Sequence, residues 1–167
     1  MAIDPIAAQG PARATPLRLA SEALSGVTGF TLALQAKQLS RLEFRLATTS
    51  VSGTVQATIT LTGLTASYRS NQLYQAASAW AVAPFDVAAT TYWAIGSTQA
   101  ASSITGDVWF RTGFIRQFES QEVVSAGTVS QSGFKGFNTD TTHDVTGIVF
   151  SWGVTTLTGF IEIWGYP

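Results

Sequence analysis

The feature that most constrains the fold is the alternation of apolar and polar residues at every second position, in short segments. Residues 41–46 are the clearest example, because Leu42, Phe44 and Leu46 alternate with charged residues. In residues 54–62 the apolar residues alternate with threonine and glutamine. A β-strand places successive side chains on opposite faces, whereas a helix would scatter these apolar residues around its cylinder. The pattern therefore predicts strands with one buried face.

Segments of this kind recur at roughly 10-residue spacing and are bounded by glycine, serine, threonine or asparagine, as in sandwiches and barrels. The middle of the chain is less clear, since residues 68–85 are compatible with a broken strand or with a helical turn around residues 70–79. Pro84 excludes a central strand at its own position. The predicted strands cover residues 30–34, 41–46, 54–62, 89–95, 104–112, 114–124, 128–137, 145–152 and 158–166.

The N-terminal region differs in composition, and we predict an extended arm over residues 1–27 followed by one sandwich domain over residues 28–167. Three prolines in the arm favour extended backbone and prevent a continuous helix. A short helical turn over residues 15–24 is compatible with Thr15 as the cap and a proline at the first helical position. The arm is either a tail without fixed structure or a segment that docks on another subunit. The candidate docking residues are Pro5, Pro11, Arg13, Pro16 and Arg18.

Composition excludes several classes of partner and site. The 9 Lys and Arg residues against 10 Asp and Glu residues give a net charge of −1, and no basic cluster is present, so we expect no nucleic-acid binding. The chain has no cysteine, which excludes disulfides and thiolate metal sites. No stretch approaches the ~20 apolar residues of a membrane helix, and the start of the chain does not resemble a secretory signal. With 23 Thr and 16 Ser, the polar surface is expected to be mostly hydroxyl.

The single histidine, His143, lies between Asp140 and Asp144 and is the strongest candidate for chemistry. Two carboxylates and an imidazole can bind a divalent cation, but their spacing fits neither a calcium loop nor a metalloprotease helix. A Thr-, Asn- and Asp-rich segment between strands is more typical of a turn in which side chains accept backbone N–H groups. The remaining acidic residues are scattered, and no serine lies in a Gly-x-Ser-x-Gly elbow. We expect no enzymatic activity, no cofactor and no metal site.

The aromatic residues divide into two groups by their phase in the alternation. Phe30, Phe44, Phe110 and Phe150 share the phase of aliphatic residues and are predicted to lie in the core. Trp109 and Tyr92 fall in the opposite phase, and an outward aromatic residue either covers a sheet face, contacts a neighbouring subunit or stacks on a sugar ring. Trp93, Trp152 and Trp164 fit either role. The candidate interface or glycan contacts are Trp80, Tyr92, Trp93, Trp109 and Arg111.

The C-terminal half carries a family resemblance. A strand with the sequence GDVWF at 106–110 is followed by VTGIVF at 145–150 and by GFIEIWGY at 159–166. This order resembles the jelly-roll structural proteins of tailed bacteriophage virions, of the decoration, fibre or spike type. The resemblance implies an antiparallel jelly-roll-like β-sandwich on a capsid, tail or fibre, commonly trimeric and without catalysis.

From these observations we expect a non-enzymatic virion protein that forms a homotrimer through its sandwich. Its N-terminal arm would attach it to other virion proteins. The alternative is a carbohydrate-binding or receptor-binding module that uses exposed tryptophans to hold a host surface glycan. Neither function involves a membrane or nucleic acid.

Overall fold

The computed structural model describes residues 15–34, 39–64, 68–76, 79–83, 91–110, 113, 115–124 and 130–167. Within these ranges the chain forms strands and turns, which confirms the predicted all-β fold. None of the described ranges holds an apolar helix long enough to cross a membrane. The strands are β1 (Leu17–Val27), β2 (Gly29–Ala33), β3 (Arg41–Val51), β4 (Val55–Thr62), β5 (Tyr68–Ala76), β6 (Ala79–Ala83), β7 (Trp93–Thr98), β8 (Ser102–Trp109), β9 (Arg116–Val124), β10 (Ser130–Asn138), β11 (Gly147–Ser151) and β12 (Leu157–Tyr166).

The strands form two antiparallel sheets that pack face to face. The larger sheet has eight strands in the order β1-β12-β3-β8-β9-β10-β5-β6, and the smaller has four in the order β2-β11-β4-β7. Adjacent strands within each sheet run antiparallel. The predicted antiparallel β-sandwich is therefore confirmed.

The strand order is that of a jelly roll with added strands. Four pairs, β1 with β12, β2 with β11, β3 with β8 and β4 with β7, join the two halves of the chain as one long antiparallel ribbon. Successive pairs of this ribbon alternate between the two sheets, which is how eight strands make a jelly roll. The remaining strands, β5, β6, β9 and β10, extend the larger sheet on one side.

The core lies between the sheets and is built from the residues that the alternation assigned to it. Leu42, Phe44 and Leu46 on β3 are at most 1% exposed. They face apolar residues of the smaller sheet, and the ring of Phe44 meets the edge of Phe150 at 5.2 Å between centroids. Phe110 is also buried, and Phe30 is partly buried against the same cluster. All four phenylalanines predicted for the core therefore pack in it or against it.

Tertiary pairing overrules two local predictions. Residues 17–27, which the sequence assigned to the arm, form the edge strand β1, and the helical turn over 15–24 is wrong. Ala20 and Leu24 are buried, and the β1 backbone bonds to β12, which offers partners along the whole segment. The helical turn left open around residues 70–79 is likewise replaced by β5 and the start of β6. Residues 1–14 and Pro84 lie outside the described residues.

Candidate functional site on the outer sheet faces

The outer face of the eight-stranded sheet carries two parallel rows of side chains that cross several strands. Residues in each row are directly opposed on neighbouring strands, so their side chains lie beside one another. The first row is aromatic and polar, and the second contains three acids and a lysine. The first row is Tyr166, Arg41, Trp109, Gln117 and Phe137, and the second is Glu43, Asp107, Glu119 and Lys135.

Arg41 organises one end of these rows. Its guanidinium lies 4.7 Å from the ring centre of Tyr166 and 5.8 Å from that of Trp109. Its Nε donates to Oδ1 of Asp107 at 2.7 Å. The hydroxyl of Tyr166 donates to Glu43 at 2.7 Å, and this hydrogen bond raises the pKa of Tyr166. The cation thus lies between two rings and is held there by a carboxylate.

Trp109 lines a surface depression of about 580 Å³, together with Gln117, Glu119 and Lys135. A second depression of about 330 Å³ shares Gln117 and Lys135 with the first and reaches Phe137. Ile115 lines both depressions and is half exposed. The two depressions are therefore adjacent. We call the surface formed by Trp109, Ile115, Gln117, Glu119, Lys135 and Phe137 the Trp109 groove.

The outer face of the four-stranded sheet is different, because the described strands β2, β4, β7 and β11 contain no charged residue. Thr31, Val149 and Thr60 form a row across three of these strands. The hydroxyl of Thr58 donates to the Ser151 carbonyl at 3.2 Å. We call this surface, formed by Thr31, Ala33, Thr58, Thr60, Thr62, Val149 and Ser151, the uncharged face.

Arg116 is a fully buried cation on the inner side of β9. It donates to the carbonyl oxygens of Asp140 and His143 and so fastens the 138–143 turn to the sheet. In that turn, Oδ1 of Asp140 accepts the backbone N–H groups of Thr142 and His143. Asn138 accepts the N–H of Asp140 in the same way, so the predicted turn is confirmed. Among the described residues, no three His, Asp or Glu side chains come together as a candidate metal site.

Glu122, on the same strand, is a second buried ionisable group and is 3% exposed. Burial raises the pKa of its carboxyl to about 7, although the hydrogen bond from the Ser97 backbone N–H opposes the shift. Its nearest cross-strand neighbours are Ile104 and Ser132. The carboxyl therefore changes its protonation near neutral pH.

Several sequence-predicted candidates lie where expected and others do not. Trp109 and Tyr92 are each 38% exposed, as their phase predicts. Trp93 is wrong as a surface contact, because it is fully buried and its ring stacks on Phe118 at 4.8 Å. Its Nε1 is satisfied by the Phe137 carbonyl at 3.1 Å, so a complete tryptophan fits in the core. Of the other two tryptophans left open, Trp152 is buried and Trp164 is partly buried.

The arm and loop candidates are mostly untested. Pro16 precedes β1 and is exposed. Arg18 lies in β1 and pairs with Glu162 at 2.8 Å on the same molecule, so it belongs to the sheet and not to an arm. Trp80 lies in β6, and its side chain is outside the described part. Pro5, Pro11, Arg13 and Arg111 also lie outside the described residues.

The residues that complete the Trp109 groove could not be identified from the sequence alone. Phe134 and Phe137 are three apart on β10, so a strand must place them on opposite faces, and Phe137 is the outward one at 39% exposure. Gln117 and Lys135 gave no signal of their own, because their role depends on which strands are neighbours. No protein-family model, curated protein or solved structure matches this chain.

Proposed function

We propose that this chain is a non-enzymatic structural subunit of a tailed-bacteriophage virion. It associates with copies of itself, as a homotrimer, and attaches to other virion proteins through its N-terminal segment. The observation that carries the self-association is the uncharged face of the four-stranded sheet. The jelly-roll strand order is in keeping with this role, because viral capsid domains commonly use it.

A second copy of the chain is the occupant that suits the uncharged face. In a cyclic trimer the three copies of one face can gather around the threefold axis, and like charges that meet there oppose association. A face without charges has no such penalty. The hydroxyls of Thr58 and Thr60 already donate to backbone carbonyls at 3.2 and 3.3 Å. Covering these two hydroxyls therefore leaves neither without a partner, which lowers the desolvation cost of association.

Attachment through the N-terminal segment is in keeping with the position of β1 at an edge of the larger sheet. Residues 15 and 16 lead into β1, which is the edge strand of the larger sheet. Leu17, its first residue, is 61% exposed. An exposed residue at a sheet edge is accessible to a neighbouring protein.

The mass of the protein in solution tests self-association. We expect sedimentation equilibrium to give about three times the 17.7 kDa chain mass. Val149→Lys inserts a cation at the centre of the uncharged face and should yield the monomer. The matched control is Thr105→Lys, an exposed position on the outer face of the other sheet, which should keep the mass of the wild type. A monomeric wild type, or dissociation by both variants, would contradict the proposal.

Co-purification with virions tests the attachment. Deletion of residues 1–14 removes the arm and keeps β1, so the protein should fold and self-associate but no longer be recovered with purified particles. Recovery equal to that of the full chain would show that the segment is not the anchor.

One observation favours a second candidate function, the binding of carbohydrate or a glycan receptor. The Trp109 groove places a half-exposed indole beside an amide, a carboxylate and an ammonium group. This surface is on the opposite side of the sandwich from the uncharged face, so one chain has room for both functions.

A further inference from the structure

We infer that the Trp109 groove binds a neutral oligosaccharide of two or more pyranose rings, with Trp109 and Phe137 as its two stacking platforms. The inference rests on the second candidate function and names its ligand class and residues. It does not depend on self-association, which concerns the other sheet.

The spacing of the two aromatic side chains sets the size of the ligand. Trp109, Gln117 and Phe137 are directly opposed on three adjacent strands. Strands lie about 4.8 Å apart, so the two aromatic positions are separated by roughly 10 Å. Trp109 and Phe137 are 38% and 39% exposed, which leaves part of each ring open to a ligand. A single sugar ring does not span both platforms, whereas a short oligosaccharide does.

The groove between the platforms offers the hydrogen-bonding groups that a sugar requires. Each sugar hydroxyl both donates and accepts a hydrogen bond. Gln117 supplies a donor and an acceptor, Glu119 supplies acceptors and Lys135 supplies donors. Pockets for small ligands typically combine apolar walls with a few polar groups that fix orientation, and this lining has that character.

Charge selects a neutral ligand over an acidic one. Lys135 pairs with Glu119 at 2.9 Å, so the cation of the groove is already matched by a carboxylate. Glu119 and Lys135 are the charged side chains in the described lining of the first depression, where their charges cancel, and Lys135 also lines the second. An acidic sugar would have to displace Glu119 from Lys135 and would face its carboxylate.

Arg41 acts as a positioning residue for the main platform. Its guanidinium lies over the ring of Trp109, and its Nη2 is held by Oδ1 of Asp107 at 2.6 Å. A ring that is oriented before binding loses less conformational freedom when the ligand arrives. Substitution of Arg41 should therefore weaken binding without removing any direct contact to the sugar.

Calorimetric titration with defined trisaccharides tests the inference. The neutral probes are cellotriose, maltotriose, xylotriose and chitotriose, and the acidic probe is trigalacturonate. We expect saturable one-site binding of at least one neutral probe and weaker binding of the acidic one. Trp109→Ala should reduce the affinity by at least about tenfold. The control is Val154→Ala, because Val154 is an exposed apolar residue that does not line the groove, and this variant should bind as the wild type does.

Three further variants extend the test, and circular dichroism identifies any that misfold. Phe137→Ala and Gln117→Ala should each weaken binding of the same trisaccharide while the far-UV circular dichroism stays that of the wild type. Arg41→Gln should weaken binding less than Trp109→Ala does. The inference is overturned if none of the neutral probes binds at millimolar concentration, if trigalacturonate binds more tightly, or if Trp109→Ala and Val154→Ala have equal effects. None of these results bears on the mass measured for Val149→Lys.

Discussion

The outer faces of the two sheets share one fold but differ in chemistry. The eight-stranded sheet carries charged side chains and half-exposed aromatics such as Trp109 and Phe137, whereas the described strands of the four-stranded sheet carry no charge. Charges on a sheet face favour solvent and oppose face-to-face association with another sheet. The two proposed functions use this difference: the ligand is assigned to the charged face and the copies of the chain to the uncharged one.

The inner faces differ as well. The buried residues of β4 and β11 are apolar or small, while β9 of the larger sheet buries Arg116 and Glu122. This strand belongs to the part of the larger sheet that extends beyond the jelly roll. An added strand of the larger sheet therefore buries ionisable side chains, whereas the described buried residues of β4 and β11 in the smaller sheet include none.

The largest expected effect comes from removing the buried cation. Arg116→Met leaves the carbonyl oxygens of Asp140 and His143 without their donor, so the free energy of unfolding should fall by about 3 kcal/mol. Urea denaturation measures this loss. The control is Arg45→Met on the outer face, where we expect a change within about 0.5 kcal/mol. Equal losses of unfolding free energy in the two variants would mean that the buried arginine contributes no more to stability than an exposed one.

The next effect is a pH dependence that belongs to Glu122. Its folded-state pKa is raised to about 7 from the ordinary value of 4.5, so the folded state prefers the neutral carboxyl. Its contribution to stability is complete below pH 4.5 and is lost as the pH rises to about 7. The stability of Glu122→Gln relative to the wild type should therefore increase by about 3 kcal/mol between pH 4 and pH 8.

The matched control for this titration lies on the same strand. Glu119 points to the outer face and pairs with Lys135, so Glu119→Gln should not reproduce the pH-dependent gain. Urea denaturation at a series of pH values compares the two variants. A flat difference for Glu122→Gln would show that its carboxyl is hydrated in the folded state.

A smaller effect is expected at the Arg41 cluster on the outer face. Arg41→Met removes an ion pair with Asp107 and the contacts with Trp109 and Tyr166, and should cost about 1 kcal/mol. Arg18→Met removes the more exposed pair with Glu162 and should cost less. Thermal unfolding in low and high salt measures both. A larger loss at Arg18 would contradict the view that Arg41 is the organised cation of this face.

The smallest effect tests the uncharged face. Thr60→Val removes one hydroxyl that donates to the Thr91 carbonyl and keeps the shape of the side chain. We expect a change in unfolding free energy of about 0.5 kcal/mol or less, because the site is near the surface. The associated mass should be unchanged. Dissociation of the oligomer by this variant would mean that the Thr60 hydroxyl makes a specific contact with another copy. The absence of charge would then not be the main reason that the face associates.

The core of the sandwich could be predicted from the sequence because the alternation on β3 and β4 depends only on local order. Leu42, Phe44 and Leu46 had to share a face once residues 41–46 formed a strand. The edge strand β1 could not be predicted in this way, since its stability comes from pairing with β12. The two strands are far apart in the sequence: Arg18 of β1 and its partner Glu162 of β12 are separated by 144 positions. The prolines before β1 favoured the prediction of an arm over that of a strand.

The candidate site was predictable only in part. The phase of Trp109 beside Asp107 indicated an outward indole, and the structure confirms this orientation. Its neighbours Gln117 and Phe137 come from strands whose pairing the sequence does not reveal. The burial of Trp93 could not be predicted either, because the phase of the alternation allowed both a core and a surface position. Its hydrogen bond to the Phe137 carbonyl satisfies the indole N–H and so stabilises the buried position.

The central claim is that copies of the chain meet through the four-stranded sheet, and intermolecular distances between spin labels test it most directly. The chain has no cysteine, so Thr62→Cys on the uncharged face and Thr105→Cys on the opposite face each give one labelled site. Double electron–electron resonance should give a short distance between labels at position 62 and a longer one at position 105. A shorter distance at position 105, or no intermolecular coupling at either position, would contradict the account.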